Sequence, residues 1–435
     1  MGGQTEKPAK ERRRLTKQAV SATLRERMRN RRIARAFVLF MVVVLAFAGG
    51  FLVRSQTAFV ASLGFPVDEG PGAASSSTAK AKTTFNSLTG RLEEVEDLLK
   101  ANSLDELDLG QATPAVLTAL MRSLGDPYAA YFDAERYAKY VQEAAERPYT
   151  GIGVLFAEFD GRPYAADVFE GSEAEGLGVR DGDYIVAVDG VSSKDWTTSE
   201  LINSLAREDG SQVVVTWMRP ASPDATTGME FTTTLTCRSY DVANLTSELD
   251  DGVGFIRLRQ VSQNASELVK GAVEALAADG ATSYVLDLRG NPGGYLTQAV
   301  DIACLFVQSG VIVEVETVDG TTTKTATGAT ITNAPLVVLV DEYTSAAAEV
   351  LAAGLQANQR ATVVGQTTRG KGSVQVTREL TFGGAVRYTA AYYLTPLGAS
   401  IEGVGVAPNI SLHSSEGADV QLEVAIDTAR SLANG

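Results

Sequence analysis

The sequence predicts a mixed α/β protein that carries one separate apolar segment near its N-terminus. Three observations lead to this fold class. Residues 36–53 are an uncharged apolar run that follows a basic segment. Residues 150–240 show short strand-and-turn patterns, and from residue 250 apolar strand candidates alternate with helical patterns. A chain of 435 residues also favours two or three domains over one.

The basic N-terminal segment, residues 1–35, contrasts with an acidic body. It holds 12 Lys/Arg and 3 Glu, a net charge of +9, whereas the remainder of the chain carries −24. An acidic body argues against nucleic-acid binding, because phosphates attract basic surfaces. The basic segment therefore needs a different explanation.

Residues 36–54 are predicted to be a single-pass transmembrane anchor. At about 1.5 Å per residue, the uncharged run at 36–53 is just long enough to cross a bilayer. The preceding Arg/Lys run has the sign of a cytoplasmic flank, so we expect a cytoplasmic N-terminus and an extracytoplasmic body. A cleaved signal peptide is the alternative, because "AFA" at 46–48 resembles a cleavage site. We favour the uncleaved anchor, since a basic lead-in of this length is long for a signal peptide.

The rest of the chain divides into segments of distinct composition. Thr113 and Pro114 are predicted to cap and begin a helix. Asp160 and Gly161 are predicted to form a hairpin turn. The predicted segments are a Pro/Gly/Ser/Ala-rich linker at 55–84, a helical region at 85–148, a strand-rich region at 149–240, an α/β region at 241–415 and a helical tail at 416–435.

Histidine and cysteine usage restricts the chemistry. The single histidine, His413, lies close to the C-terminus, so a hydrolase built on this chain needs another base. A zinc site with several histidines is excluded, and we predict neither a metal nor an organic cofactor. For Cys237 and Cys304 we favour free thiols over a disulfide bridge.

The glycine-rich stretch "DLRGNPGG" at 287–294 follows an apolar strand and precedes a helix. Such a turn presents backbone N–H groups that could hold a phosphate or a developing oxyanion. It lacks the spacing of a phosphate-binding loop. A tight strand-to-helix turn without chemistry is the alternative.

The stretch "DEYTSAAAEVLAAGLQ" at 341–356 places Ser345 between a buried strand and a helix of small residues. A helix N-terminus offers free N–H groups and positive potential, so a hydroxyl there could be a nucleophile. It could equally be a helix cap, the commoner role of such a serine.

The stretch "TTRGKGSVQV" at 367–376 places Lys371 between two glycines beside an apolar strand. A desolvated lysine has a lowered pKa and can act as a general base where histidine is absent. A solvated hairpin lysine is the alternative.

Taken together, these motifs resemble the carboxy-terminal processing peptidases, peptidase family S41. These are exported or membrane-anchored serine endopeptidases with a Ser-Lys dyad. The resemblance covers about residues 85–412. It rests on six segments in family order: "SLGDPYAAYF", "GIGV", "LDLRGNPGG", the serine-helix stretch, "VVGQTTRGKGSVQ" and "YYLTPLGASIEGVGVAPNI". It implies an α/β core of ββα type at 241–415 and a PDZ-like peptide-binding domain at 149–240.

The resemblance also assigns roles to individual residues. It implies that Lys371 is the general base and that Gln375 orients it. It implies an oxyanion hole formed by the N–H groups of Gly293 and residue 346. The PDZ-like loop that would take a peptide's C-terminal carboxylate is Gly151, Ile152, Gly153 and Val154. Partners would be protein C-terminal tails and the membrane, and the helical segment at 85–145 is a candidate self-association element.

The chain departs from the family pattern at the nucleophile. The family has its serine three residues before a glutamate, here Glu349, and 25 residues before the lysine, here Lys371. Both anchors point to Ala346, so Ser345 lies one place early and Thr344 two. One residue turns a side chain by about 100° in a helix. A second departure is Ala399, where the family often has arginine.

Two hypotheses follow from the sequence. The first is an active endopeptidase that binds C-terminal tails and attacks with Ser345, with Lys371 as base. The second is a catalytically silent, membrane-tethered adaptor or regulator that captures the same tails. The sequence does not distinguish a natural from an engineered Ala346.

Overall fold

A computed structural model of the chain describes residues 87–104, 108–143, 150–194, 196–222, 225–413 and 419–435. The chain divides into two units, Met1–Leu107 and Asp108–Gly435. The predicted basic segment, anchor and linker lie outside the described residues. Within the described ranges, no helix has both the length and the apolar character needed to cross a bilayer.

The first unit contributes one described helix, α1 (Leu88–Asn102). Ser87 caps it, and the Ser87 hydroxyl accepts a hydrogen bond from the N–H of Gly90 at 3.1 Å. The predicted helical pattern of this segment is confirmed.

The second unit begins with a helical segment that contains α2 (Leu109–Arg122), β1 (Ala130–Phe132) and α3 (Ala134–Glu143). The predicted start of α2 is wrong, because Pro114 lies inside the helix and Thr113 does not cap it. Asp108 caps α2 instead. Its carboxylate accepts hydrogen bonds from the N–H groups of Gly110 and Gln111, which begins the helix five residues earlier.

Residues 150–239, hereafter the insert, form a strand-rich subdomain. Asp160 and Gly161 connect two of its strands with positive φ angles of 49° and 66°, which confirms the predicted hairpin turn. Its core surrounds the fully buried Trp217. The elements are β2 (Thr150–Gly151), β3 (Val154–Phe159), β4 (Arg162–Val168), α4 (Glu173–Gly176), β5 (Tyr184–Val188), β6 (Val191–Ser192), α5 (Thr198–Leu205), β7 (Gln212–Pro220), β8 (Gly228–Thr236) and β9 (Arg238–Ser239).

The sheet of the insert has the order β3-β4-β5-β7-β8, with β6 paired to β5. β3 therefore lies at one edge of the sheet, where β4 is the strand paired with it among those described. The short strands β2 and β9 pair with each other, so the two ends of the insert meet.

The remaining residues form the α/β core. Its elements are β10 (Leu245–Asp250), β11 (Val253–Leu258), α6 (Ala265–Ala278), β12 (Ser283–Asp287), α7 (Leu296–Phe306), β13 (Ser309–Thr317), β14 (Gly320–Thr327), β15 (Leu336–Val340), α8 (Ala347–Ala357), β16 (Ala361–Gly365), β17 (Ser373–Glu379), β18 (Ala385–Leu394), β19 (Ile410–Ser411) and α9 (Val420–Asn434). The mixed α/β class predicted for this region is confirmed.

The central sheet of the core has the order β10-β11-β12-β15-β16-β19, and all its pairs except β10 with β11 are parallel. Successive side chains of a strand point to opposite faces. Accordingly, Leu286 and Val338 pack into the cluster that holds α6, α7 and α8, whereas Val285 and Val337 pack against α9. Helices thus cover both faces, as a parallel sheet requires.

A second, antiparallel sheet joins β1, β18, β13 and β14 in that order, with β17 also paired to β18. The hairpin of β13 and β14 was not predicted. Its second strand, "GTTTKTAT", is almost fully exposed and lacks the apolar alternation that marks a half-buried strand. Cys237 and Cys304 are both free thiols, as predicted.

Candidate active site

Three loops meet at the end of the central sheet where its parallel strands finish. They follow the neighbouring strands β12, β15 and β16, whose parallel pairing places their carboxyl ends side by side. In open parallel sheets, ligands bind at this carboxyl end of the strands. The loops carry the predicted site residues Gly293, Ala346 and Lys371.

Ala346 occupies a strained turn at the start of α8. Its φ of 52° and ψ of −120° lie in a region that residues with a side chain rarely adopt. Its side chain is partly exposed, whereas the neighbouring Ser345 and Ala347 are buried. The sharp turn therefore projects residue 346, and not residue 345, toward the open side of the site.

Gly293 packs directly against this turn. It has a φ of 87°, and a Cβ added there would lie 2.7 Å from both the Ser345 carbonyl oxygen and the Ala347 nitrogen. Only glycine fits this close approach. The glycine-rich turn and the helix start therefore form one surface.

Glu349 connects the helix start to the loop that carries the lysine. Its carboxylate is fully buried and accepts four hydrogen bonds. The donors are the N–H groups of Ala346 (2.8 Å), Gly370 (2.7 Å) and Lys371 (2.8 Å) and the hydroxyl of Thr368 (2.5 Å). Burial raises the pKa of Glu349 to about 7, and the four donors oppose that shift.

Lys371 lies at the predicted place, but its amine points to the insert. Its Nζ donates a hydrogen bond to the main-chain oxygen of Glu158 in β3, at 2.8 Å. It also lies 5.1 Å from the centre of the Tyr128 ring. Burial lowers the pKa of the Lys371 amine from its ordinary value, in part offset by the nearby Glu158 carboxylate.

Ser345 is buried within the turn and does not meet the lysine. Its side chain lies beside the Tyr164 phenol of the insert. Among the described contacts, the Ser345 hydroxyl is not bonded to the Lys371 amine. The two members of the proposed dyad are therefore not paired in this conformation.

Thr344 carries the other hydroxyl near the nucleophile position, and this hydroxyl is already hydrogen-bonded within the turn. Its Oγ1 lies 2.9 Å from both the Leu288 carbonyl oxygen and the Asp341 carboxylate, and it accepts the Asp341 N–H at 3.0 Å. Thr344 therefore closes the turn and is not available for attack.

Gln375 lies in β17, four residues after the lysine, and is partly buried. Its side-chain Nε2 has no hydrogen-bond partner among the described residues. The predicted contact in which Gln375 orients Lys371 is absent there, because the lysine amine is directed to Glu158.

The predicted oxyanion donors are engaged elsewhere. The Gly293 N–H donates to the Asn291 side chain at 2.9 Å, and the Ala346 N–H donates to Glu349. The N–H of Ala347, the first residue of α8, faces Gly293 and has no acceptor in the described ranges. Sequence reasoning missed Asn291 and Ala347, although the helix start itself was the signal for a free N–H.

The loop Gly151–Val154 connects β2 to the edge strand β3. Ile152 and Val154 are fully buried, and Gly153 has a φ of 81°. A Cβ on Gly153 would lie 2.5 Å from that of Ser172. The buried side chains fix the loop while its backbone turns beside the sheet edge.

Ion pairs and aromatic contacts hold the insert against the site. Asp167 pairs with Arg257 and Arg259, and Glu158 pairs with Arg387. The buried Arg369 lies over the ring of Phe159 at 4.1 Å and donates to the Tyr184 hydroxyl. The insert therefore contacts the lysine loop directly.

The only histidine, His413, is exposed and follows β19, the edge strand of the central sheet that pairs with β16. It takes no part in the contacts of the three loops. Within the described residues, no three His, Cys, Asp or Glu side chains are grouped so that they could hold a metal ion.

The chain is similar in sequence and in fold to known S41 peptidases. Residues 252–412 match the model of peptidase family S41. The chain is 34% identical over 334 residues to a carboxyl-terminal-processing protease of Synechocystis sp. PCC 6803, covering 73% of this chain and 77% of that protein. It is 30% identical over 335 residues to the carboxy-terminal processing protease CtpA of Bacillus subtilis, covering 76% and 70%. A solved photosystem II D1 C-terminal processing protease superposes with a TM-score of 0.63 at 28% identity, covering 76% of this chain and 88% of that one.

Proposed function

The chain belongs to peptidase family S41, and from that membership we propose that it captures C-terminal tails of proteins outside the cytoplasmic membrane. In this proposal residues 36–54 anchor the chain and the insert is a PDZ-like tail-binding domain. The tail is delivered to an S41 site that lacks a positioned hydroxyl. The observation that carries the proposal is the turn at Ala346, which projects a methyl group at the position where the family resemblance places the nucleophile.

The membrane location is supported by the charge distribution. The net charge of +9 on residues 1–35 and the uncharged run at 36–53 favour a span with its N-terminus in the cytoplasm. The body would then meet proteins of the cell envelope.

Tail capture is supported by the loop Gly151–Val154 and the edge strand β3. A backbone turn with a glycine at positive φ can present N–H groups to a carboxylate, and an edge strand can pair with an extended peptide. The peptide would run antiparallel to β3, with its C-terminus at the loop.

The absence of turnover in the unmodified chain is supported by the environments of the two candidate hydroxyls. Ser345 is buried beside Tyr164, and Thr344 is bonded to Leu288 and Asp341. A nucleophile needs its base within about 3 Å. Neither hydroxyl has Lys371 as a partner in the described structure.

A second candidate function is proteolysis with Ser345 as the nucleophile. Two observations favour it. The Ser345 hydroxyl is not bonded into the turn as that of Thr344 is, and burial lowers the pKa of Lys371 as a general base requires. A local rearrangement of the turn would have to bring the two together.

The test compares the full chain with Ser345→Ala and Ala346→Ser. The substrate is an unstructured protein with an apolar C-terminus, and the readouts are its cleavage and the binding of a labelled peptide with the same tail. We expect all three chains to bind the peptide and only Ala346→Ser to cleave, at least about a thousandfold faster than the others.

A matched peptide with an amidated C-terminus is the control for tail capture, and we expect it to bind weakly. Cleavage by the unmodified chain that Ser345→Ala abolishes would establish the second candidate. Equal binding of the free and amidated peptides would contradict tail capture.

A further inference from the structure

The segment "SLGDPYAAYF" at 123–132 brings an aromatic ring to the Lys371 amine. The ring belongs to Tyr128, which is only 1% exposed, and the ring centre lies 5.1 Å from the lysine Nζ. The face of an aromatic ring attracts a cation at this distance. Among the described residues, the amine therefore rests between one hydrogen-bond acceptor, the Glu158 main-chain oxygen, and one aromatic ring.

Three hydrogen bonds fix the position of Tyr128. Its main-chain N–H donates to the Asp126 carboxylate at 2.9 Å, and its hydroxyl accepts the N–H of Asp160 at 3.1 Å. Its carbonyl oxygen accepts the Nε–H of Arg387 at 2.9 Å. These partners belong to the segment itself, to the hairpin turn of the insert and to β18. Tyr128 therefore joins three parts of the chain beside the amine.

The two residues before Tyr128 restrict its movement further. The Asp126 carboxylate also accepts the N–H of Thr389 in β18, at 2.7 Å. Pro127 has a restricted φ, and its carbonyl oxygen would lie 2.1 Å from a Cβ on Gly161, so this approach needs a glycine. The sequence Asp-Pro-Tyr thus forms a rigid turn whose last residue supplies the ring.

Charged groups of both signs surround the Lys371 amine. Three carboxylates favour its charged form, and one guanidinium disfavours it. These groups are Glu158, Glu349, Glu402 and Arg387. Burial has a larger influence than any of them and lowers the pKa of the amine. A charged amine at this place therefore needs favourable contacts.

The Tyr128 ring acts on the amine in two ways that can be separated. Any apolar side chain at this position would exclude water, which favours the neutral amine. An aromatic face also attracts the amine while it is charged. The tyrosine itself stays neutral, because burial raises the pKa of its hydroxyl far above the ordinary value. Only the attraction depends on the electrons of the ring.

We propose that Tyr128 is a positioning residue for Lys371: its ring holds the charged amine against β3, and the rigid Asp-Pro-Tyr turn fixes where that ring lies. The lead-in segment thereby becomes part of the lysine site. Neither tail capture nor turnover is needed for this contact. Its use in catalysis rests on the proposed role of Lys371 as the general base.

The experiment measures the pKa of Lys371 in the full chain with Ala346 in place and without substrate. Trace acetylation with acetic anhydride is followed over a range of pH, and mass spectrometry reads the labelling of the peptide that carries Lys371. An inactive chain, or one that binds no peptide, leaves this measurement intact. The result is therefore independent of the proposed function.

Three variants of Tyr128 separate attraction from burial. Tyr128→Phe keeps the ring and should leave the pKa of Lys371 within about 0.3 pH unit of its value in the unmodified chain. Tyr128→Leu keeps an apolar wall without a ring and should lower that pKa by about 1 pH unit, because the charged form loses its attraction. Tyr128→trifluorophenylalanine keeps the shape of Phe but weakens the ring face, so it should also lower the pKa, even where Tyr128→Leu fails to fold.

Tyr284→Leu is the matched control, because Tyr284 is equally buried, at 1% exposed, and lies in β12 among the residues that pack with α6. It should leave the pKa of Lys371 unchanged. A purely structural role for Tyr128 predicts the opposite sign in Tyr128→Leu, since a loosened site admits water and the pKa rises toward 10.5, the ordinary value for lysine. A raised or unchanged pKa in both Tyr128→Leu and the fluorinated variant would overturn the proposal. So would an equal fall in Tyr128→Phe, which would assign the effect to the hydroxyl.

Discussion

The helices α6 and α8 both carry a glutamate three residues after their N-cap, yet the two starts are built differently. At α6 the cap is Asn264, its φ is −110°, and Glu267 is exposed. At α8 the cap is Ala346, its φ is +52°, and Glu349 is fully buried with four donors. A glutamate in the first turn ordinarily supports its own helix.

The difference shows that the start of α8 serves the lysine loop as well as the helix. Three of the four donors to Glu349 belong to residues 368–371, which follow β16. One carboxylate oxygen accepts both the Ala346 and the Lys371 N–H groups. Glu349 and its four donors, hereafter the clamp, therefore fix the spacing between the nucleophile position and the base.

The largest effect should come from Glu349→Gln. The amide replaces one acceptor oxygen with a donor and leaves two buried N–H or O–H groups without a partner, which we expect to lower the free energy of unfolding by about 3 kcal/mol. Glu267→Gln is the matched control at the same helix position and should change it by less than about 0.5 kcal/mol. Urea unfolding measures both, and equal losses would contradict the clamp.

The neighbouring hydroxyls give the next effect. Thr344→Val removes a hydroxyl that lies within hydrogen-bond distance of Leu288 and Asp341, so we expect a loss of about 2 kcal/mol. Ser345→Ala removes a hydroxyl that lies beside the Tyr164 phenol and is not bonded into the turn, so its effect should be below about 1 kcal/mol. A loss of more than about 1.5 kcal/mol in Ser345→Ala would show that Ser345 has a structural role.

The meeting of the helix start with the lysine loop could be predicted from the sequence, and the clamp explains why. Glu349 and Lys371 independently indicated residue 346, and both are tied to it through one carboxylate oxygen. The direction of the lysine amine was not predictable, because a four-carbon side chain has many rotamers and its acceptor, Glu158, is 213 residues away in sequence. The start of α2 was mispredicted because Thr113 and Pro114 imitate a cap that Asp108 provides.

The pH dependence of the Ala346→Ser variant should report the lysine that the clamp holds. A general base must be neutral, so below the pKa of Lys371 the value of kcat/KM should fall about tenfold per pH unit. Burial lowers that pKa, so the rate should level off well below pH 10.5, the ordinary value for lysine. A rate that keeps rising through pH 10.5 would contradict the buried amine, and Lys371→Arg should remove the activity.

The smallest expected change in the free energy of unfolding comes from backbone strain, which distinguishes the start of α8 from α6. Ala346 has a φ of 52°, which glycine adopts without cost, so Ala346→Gly should raise the free energy of unfolding by about 1 kcal/mol. Ala275, exposed within α6, has no such strain, and Ala275→Gly should lower it by about 1 kcal/mol. The same chemical change thus has opposite signs at the two helices. If glycine destabilised both to the same extent, the turn at residue 346 would be an ordinary helix start, and the comparison between α6 and α8 would rest on Glu349 alone.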